Sequence, residues 1–240
     1  VNDLPIVTLG EDTVTFPIGN GTGEVAEDQH PLWMRWNDYG IGLLRKGGMG
    51  AVRGELVSAI SAFNEVTQLG RADGDINRAR AHMRSGRIDE AAKALAMAAQ
   101  HDPPPYPWTL DWFSARVNRE NGHYEEALTS LTKLVETHYQ QAREREFDFS
   151  RDVRLLNELG TVHFALARRL DGEQAHPGLQ EANSWFEKTL VEDPENITAH
   201  WNLAQIQDLL GNSDRAAQHR LLHGTYKPDD SARDASISNQ

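Results

Sequence analysis

The fold is decided by two copies of one short pattern, Gly86-Arg87-Ile88-Asp89-Glu90-Ala91 and Gly122-His123-Tyr124-Glu125-Glu126-Ala127. In each copy a glycine stands five residues before an alanine, and a leucine, Leu95 or Leu131, follows four residues later. The two glycines are 36 positions apart, and so are the two alanines. Because glycine commonly ends a helix and a small alanine allows close helix packing, the pattern predicts a repeated helical hairpin.

The same spacing recurs on both sides of this pair. Ala59 with Phe63 precedes it, Ala182 with Phe186 follows it, and Ala216 lies 34 positions after Ala182. A small residue also recurs in the preceding helix of each unit, at Gly40, Ala79, Ala115, Gly160 and Ala204. The sequence therefore predicts an all-α solenoid of about five helical hairpins, which must stack on one another to bury their apolar faces.

This pattern resembles the tetratricopeptide repeat (TPR), a helix-turn-helix unit of about 34 residues. Trp36-x2-Tyr39-Gly40-x2-Leu43 matches its first helix, and the alanine-x3-aromatic pairs match its second. The resemblance covers residues 33–225 and implies a TPR-type α-solenoid that binds proteins. We expect an extended arm or hairpin over residues 1–30, a TPR array over 31–226 and a tail over 227–240.

Several segments depart from the regular repeat. Ile6-Val7-Thr8-Leu9 and Thr13-Val14-Thr15-Phe16 are β-branched runs, which predict a short extended or β arm at the N-terminus. Residues 136–151 contain neither glycine nor proline, so we expect the second helix of the third hairpin to continue into them. Glycines within residues 47–50, and Asp171-Gly172 together with His176-Pro177-Gly178, predict loop insertions in the first and fourth hairpins.

The composition excludes several classes of function. The net charge of −12 repels polyphosphate, so nucleic acid is not an expected partner. The chain has no cysteine, which excludes disulfides, thiolate metal sites and covalent haem attachment within these residues. The sequence has no stretch of about 18 apolar residues, so no membrane span is predicted. It also lacks a nucleophile elbow, a phosphate-binding loop and an H-E-x-x-H motif, so we expect neither enzymatic activity nor a cofactor in this chain.

A narrower resemblance involves both ends of the array. Arg35-Trp36-Asn37-Asp38-Tyr39-Gly40, Ala199-His200-Trp201-Asn202-Leu203 and Tyr226-Lys227-Pro228-Asp229-Asp230 are similar to the TPR region that follows the haem-binding part of bacterial periplasmic multihaem cytochromes c. Leu4-Pro5-Ile6-Val7-Thr8-Leu9 is similar to the linker between those parts. The resemblance implies a periplasmic location, covalent haem on a portion upstream of Val1, and a partner-docking or assembly role for this piece. The residues themselves suit cytosol and periplasm equally.

The first helices of a TPR array line its concave groove. By that register we expect the groove to present Asn37, Arg45, Arg80, Arg84, Trp112, Arg116, Arg119, Asn157, Trp201 and Gln205. The arginines would bind carboxylates of an acidic peptide or of haem propionates, and the two tryptophans would provide flat apolar contacts. Alternatively, Trp108 and Trp112 are packing residues, and the arginines pair with acidic residues of the array itself, namely Glu90, Glu120, Glu125 or Asp111.

Other polar clusters have alternative roles. Trp33 and Trp36, together with the N-terminal arm, could form an interface between copies of the chain. His219 and His223 have the spacing of two metal ligands, but no third ligand stands nearby, so surface or capping roles are favoured. His82 and His163 are expected to be packing residues. The acidic series Glu144, Glu146 and Asp148 alternates with arginines and predicts a solvated helix face.

Overall fold

A computed structural model of the chain describes residues 31–46 and 53–227, and every element in these residues is helical. The predicted N-terminal arm, the loop at residues 47–50 and residues 228–240 of the predicted tail lie outside the described residues. The chain divides into two compact units, Val1–Asn121 and Gly122–Gln240. None of the described helices has both the length and the apolar character needed to cross a membrane.

The first unit contains five described helices. They are α1 (Leu32–Lys46), α2 (Arg53–Gln68), α3 (Ala72–Arg84), α4 (Ile88–Ala98) and α5 (Pro107–Glu120). Helices α1 and α2 pack as one hairpin and α3 and α4 as the next, while α2 also packs against α3. This is the stacked arrangement that the repeat spacing predicts.

The second unit repeats the arrangement. It contains α6 (Tyr124–Glu136), α7 (Gln140–Arg143), α8 (Val153–Ala167), α9 (His176–Glu192), α10 (Ile197–Leu209) and α11 (Ser213–Tyr226). Helices α8 and α9 form one hairpin, α10 and α11 form another, and α9 packs against α10. The two helices predicted as the third hairpin are α5, which ends the first unit, and α6, which begins the second.

The glycines of the repeat pattern lie in the turns between consecutive helices. Gly86, Gly122 and Gly211 have φ angles of 72°, 76° and 79°. These angles belong to the left-handed region, which a residue with a Cβ atom adopts only at a cost. Each glycine therefore stops one helix and turns the chain so that the next helix can begin within three residues.

The small residues of the first helices allow an aromatic ring to approach the backbone. A Cβ atom at Gly40 would lie 2.5 Å from the Phe63 ring, and one at Gly160 would lie 2.8 Å from the Phe186 ring. Both rings are completely buried. The four alanines of the second helices, Ala91, Ala127, Ala182 and Ala216, are also completely buried. The predicted packing role of these small positions is confirmed.

The predicted extension of α6 through residues 136–151 is wrong. The helix ends at Glu136, Thr137 is extended, and Glu146 has a left-handed φ of 60°. The chain instead folds back to bury Phe149, whose ring lies 5.4 Å from that of Tyr139 and 4.8 Å from that of Phe147. Aromatic packing between these rings outweighs the local helix preference of the segment.

The expected loop at His176-Pro177-Gly178 is the first turn of α9. Proline is favoured at this position because the first turn of a helix does not need its missing N–H. Gly178 allows α9 to approach α8, because a Cβ atom there would lie 2.9 Å from the Cβ of Ala167. The insertion is therefore confined to the segment around the 3-10 turn Gly172–Ala175.

Substitutions at two glycines of α1 test the close approach. Gly40→Ala should lower the free energy of unfolding by about 1–3 kcal/mol, because the buried Phe63 ring cannot move away from the new methyl group. Gly42→Ala is the matched control, because nothing lies within 4 Å of its Cβ position. It should be neutral or stabilising by about 0.5–1 kcal/mol. Urea unfolding measures both, and equal effects would contradict the packing described here.

Candidate protein-binding faces

A row of hydrogen-bonded polar side chains joins α1 to α3 in the first unit. The buried Asn77 donates from Nδ2 to Oδ1 of Asn37 over 2.7 Å, and its own Oδ1 accepts from Nη1 of Arg80 over 2.8 Å. We call Asn37, Asn77 and Arg80 the polar row. The structure thus brings together two residues predicted for the groove, through an asparagine that the groove register did not include. The periodic pattern does not mark Asn77, because a side-chain hydrogen bond between two helices leaves no repeat signal in one sequence.

Arg84 lies on the same helix as Arg80 and interacts with the end of α1. Its Nη1 donates to the backbone carbonyl of Leu44. The last carbonyls of a helix have no partner within the helix, so the guanidinium caps α1 and favourably meets the negative end of its dipole. Arg84 is exposed, and within the described part of the chain it forms no ion pair with a carboxylate.

A cavity of about 270 Å³ adjoins the polar row, and Asn77 is part of its wall. Its other walls are the start of α3, with residues 70–73 and Ile76, and the turn that precedes α5, with residues 103–106. Arg71 donates to Asp73 over 3.2 Å, and its guanidinium lies 4.3 Å from the centre of the Trp33 ring. The cavity therefore combines rigid proline walls with an ion pair.

A buried carboxylate holds the proline-rich wall of the cavity in place. Asp75 is completely buried, and it accepts one hydrogen bond from Nη1 of Arg78 at 2.7 Å. Its other oxygen lies 2.8 Å from Nε2 of His101, in the turn after α4. Because both oxygens have partners, Asp75 ties this turn to α3 and fixes the position of Pro103 and the residues after it.

The predicted groove residues of α5 have mixed environments. Trp112 and Trp108 are 5% and 6% exposed, so the packing interpretation describes them and Trp112 presents little surface to a partner. The guanidinium of Arg116 lies 6.0 Å from the Trp112 ring centre, and its buried Nε has no hydrogen-bond partner among the described residues. Arg119 bonds to Glu120 at 2.6 Å, as the alternative of pairing within the array predicts. Arg45 of α1 is exposed.

In the second unit a hydrogen bond between two side-chain amides joins α8 to the start of α10. Asn157 donates from Nδ2 to Oδ1 of Asn196 over 3.1 Å, and the same oxygen caps α10 by accepting from the N–H of Ala199. The Oδ1 of Asn157 is buried and has no hydrogen-bond partner within the described ranges. Asn157 therefore supports the helix arrangement of this unit rather than standing free at its surface.

Trp201 is the exposed aromatic residue of the second unit. It is 51% exposed on α10, and its ring lies 5.2 Å from that of His223. Gln205 lies one turn further along the same helix and is half-buried. Trp201 thus has the accessibility that a binding role requires, unlike Trp112.

The histidines form polar and packing contacts. His219 lies against His200, and His223 Nδ1 lies 3.0 Å from the carbonyl oxygen of Ile197, so the two predicted neighbours do not face one site. Burial lowers the pKa of His82, with Arg87 and Arg78 adding to the effect, and burial also lowers the pKa of His163. No group of three or more potential metal ligands is found in the residues the structure describes.

The acidic series after α6 lies mostly at the surface. Glu144 and Glu146 are exposed, and Asp148 accepts from Arg143 at 2.5 Å. Arg151 forms a two-pronged bond with Glu192, at 2.8 Å for its closest pair of atoms. The exposure agrees with the solvated surface that the alternating charges predict, but the predicted helix face is wrong, because Glu144 and Glu146 lie in a turn and Asp148 precedes a 3-10 turn.

The comparisons with known proteins agree with the repeat architecture. Residues 76–138 match the family model described as Tetratricopeptide repeat. A solved structure of MamA from Desulfovibrio magneticus RS-1 shares 16% identity over 81% of this chain and 94% of its own, with a TM-score of 0.56. A monomeric IFIT1 mutant with m7Gppp-AAAA shares 18% identity over 80% of this chain and 42% of its own, with a TM-score of 0.62. No curated protein matches the chain. At these identities the structural likenesses show the fold alone.

Removing the charge of Asp75 tests how the cavity wall is held. Asp75→Asn should lower the free energy of unfolding by about 3 kcal/mol, because Arg78 and His101 lose a shared buried carboxylate. Asp89→Asn, at an exposed acidic residue in the first turn of α4, should change it by less than about 0.5 kcal/mol. Denaturant unfolding compares the two variants, and an Asp75→Asn variant as stable as Asp89→Asn would contradict the anchoring role.

Proposed function

We propose that this TPR array is a protein-interaction scaffold without catalytic activity of its own, and that its first unit binds an acidic peptide segment. Stacked hairpins of this type are typical of scaffolds, because their first helices present a continuous surface to a partner. The observation that carries the proposal is the position of the polar row beside both Arg84 and the cavity.

The bonding of Arg84 favours acidic ligands. Arg84 is oriented by the neutral backbone carbonyl of Leu44. A guanidinium that is oriented in advance by a neutral acceptor loses little side-chain entropy when a carboxylate binds to its remaining donors. The cavity, which shares Asn77 with the polar row, is large enough for one further side chain of the peptide.

The narrower resemblance supports a proposal about the cellular context of the scaffold. Under that proposal the chain is the TPR module of a periplasmic multihaem cytochrome, and haem is bound by an upstream portion rather than by these residues. Reading the coding sequence upstream of Val1 tests this context. Several C-x-x-C-H motifs there would support it, whereas their absence would leave a scaffold of another kind.

Self-assembly is a second candidate function. Leu32 and Tyr39 of α1 are 54% and 56% exposed, and they flank the two half-buried tryptophans Trp33 and Trp36. Exposed apolar residues around aromatic side chains are typical of interfaces between copies. Sedimentation at several concentrations, with and without residues 1–30, tests this candidate. A monomer under all conditions would exclude it.

Alanine substitution of the two oriented arginines tests the peptide site. The Arg80→Ala/Arg84→Ala variant should bind a fluorescein-labelled glutamate-rich peptide at least about tenfold more weakly than the wild type, because charge-assisted hydrogen bonds are lost. Fluorescence anisotropy measures the affinity, and circular dichroism checks that helicity is retained.

The matched control removes the same charge elsewhere in the first unit. Arg87→Ala/Lys93→Ala changes two exposed residues at the start of and within α4, and it should weaken binding by no more than about twofold. Equal losses in both variants would indicate a general charge effect. Equal affinity for the glutamine counterpart of the peptide would contradict acidic recognition.

A further inference from the structure

Helix α11 is held on the second unit by few buried residues. Of its 14 residues only Ala216 is buried. Its contacts also include polar and ring contacts. His219 lies against His200 of α10, His223 against the carbonyl of Ile197, and the Tyr226 ring stacks 5.7 Å from the His200 ring. The attachment of the second half of α11 therefore depends on the state of its histidine contacts.

The His200–His219 contact determines where the protons lie. Nε2 of His200 lies 3.0 Å from the carbonyl oxygen of Pro194, and a carbonyl only accepts hydrogen bonds, so Nε2 carries the proton. Nδ1 of neutral His200 is then an acceptor. Nδ1 of His219 lies 3.0 Å from it and must donate the single N–H that the two rings share.

This geometry limits the number of protons that the pair can bind. One added proton is compatible with the contact, because an imidazolium can still share one N–H with a neutral imidazole. A second added proton would place an N–H on both Nδ1 atoms, 3.0 Å apart, on two positively charged rings. His200 is 3% exposed, so water cannot screen this repulsion. The doubly protonated pair must therefore separate.

We infer that the His200–His219 pair is an acid-sensitive latch, which holds the second half of α11 on α10 until both rings are protonated and then releases it. Release uncovers His200 and the start of α10, next to the exposed Trp201. The latch lies entirely in the second unit and is independent of the peptide site proposed for the first.

The surroundings of His219 lower its pKa. Burial lowers the pKa of His219 below its ordinary value, His200 adds to this effect, Glu187 of α9 opposes it and Arg215 of α11 lowers the pKa further. Asp208 of α10 is already paired with Arg220. The third histidine, His223, contacts the carbonyl oxygen of Ile197 through Nδ1. A proton on its Nε2 leaves this contact intact, so His223 is not part of the acid-sensitive pair.

The direction of the pH effect follows from proton counting. The docked helix binds fewer protons than the released helix, in which both histidines titrate near their ordinary pKa of about 6.5. Docking is therefore complete above that pH and weakens as the pH falls below it. Each proton that only the released state binds weakens docking by about tenfold per pH unit.

Hydrogen exchange of the full chain tests the latch. With EDTA present and intrinsic rates corrected for pH, the opening constant of amides 219–226 should rise by about tenfold per unit between roughly pH 6 and pH 4.5. His219→Gln keeps an N–H donor for His200 but cannot be protonated, so its opening should lose most of this pH dependence. His176→Gln changes an exposed histidine of α9 and should behave as the wild type does.

The order in which the His200 and His219 rings take up protons can be measured on the wild-type chain, without a variant. In a ¹⁵N NMR titration of the wild-type imidazoles, His200 and His219 should take up their protons in two separated steps, with Nε2 of His200 protonated throughout. Independent titration of both rings at ordinary values would overturn the inference. So would a pH-independent opening of α11, or the same pH dependence in His219→Gln as in the wild type.

Discussion

The structure depends on how closely the two helices of a hairpin can approach. In α1 and α8 a glycine faces a phenylalanine ring of the following helix at a distance that excludes a Cβ atom, as the pairs Gly40–Phe63 and Gly160–Phe186 show. The ring fills the space that a larger residue would occupy, and it is fully buried as a result. This contact sets the spacing of these two hairpins and therefore the position of the surface that the first helix of each presents.

The same spacing places an asparagine one turn before each glycine. Asn37 precedes Gly40 by three residues, and Asn157 precedes Gly160 by three. Each asparagine forms a hydrogen bond with an asparagine of the next first helix, Asn77 in the middle of α3 and Asn196 at the start of α10. A hydrogen bond between two side-chain amides thus joins consecutive first helices in both units. In the first unit this bond also orients Arg80, so the repeat packing and the proposed peptide site share the same residues.

The sequence predicted the repeated contacts better than the individual ones. Periodic small residues identified the helices and their buried faces, because every hairpin must satisfy the same packing requirement. The break after Glu136 was not predictable in this way, since it depends on Phe149 meeting Tyr139 and Phe147, which come together only in the folded chain.

The prediction of groove residues from the repeat spacing also missed features that depend on the folded chain. It identified Asn37, Arg80 and the exposed Trp201, but it could not show that Trp112 is buried or that Asn77 links the polar row. The binding of a partner at these residues stays a prediction. Side-chain hydrogen bonds between helices leave no periodic signal in a single sequence, so the His200–His219 contact was not predictable either.

A double-mutant cycle at Gly160 and Phe186 tests the packing account most directly. Gly160→Ala should destabilise the chain by about 1–3 kcal/mol when Phe186 is present. In a Phe186→Leu background it should cost little, because the ring that meets the new methyl group is gone. The account predicts a coupling energy of more than about 1 kcal/mol between the two positions. Additive effects, within about 0.5 kcal/mol, would contradict it.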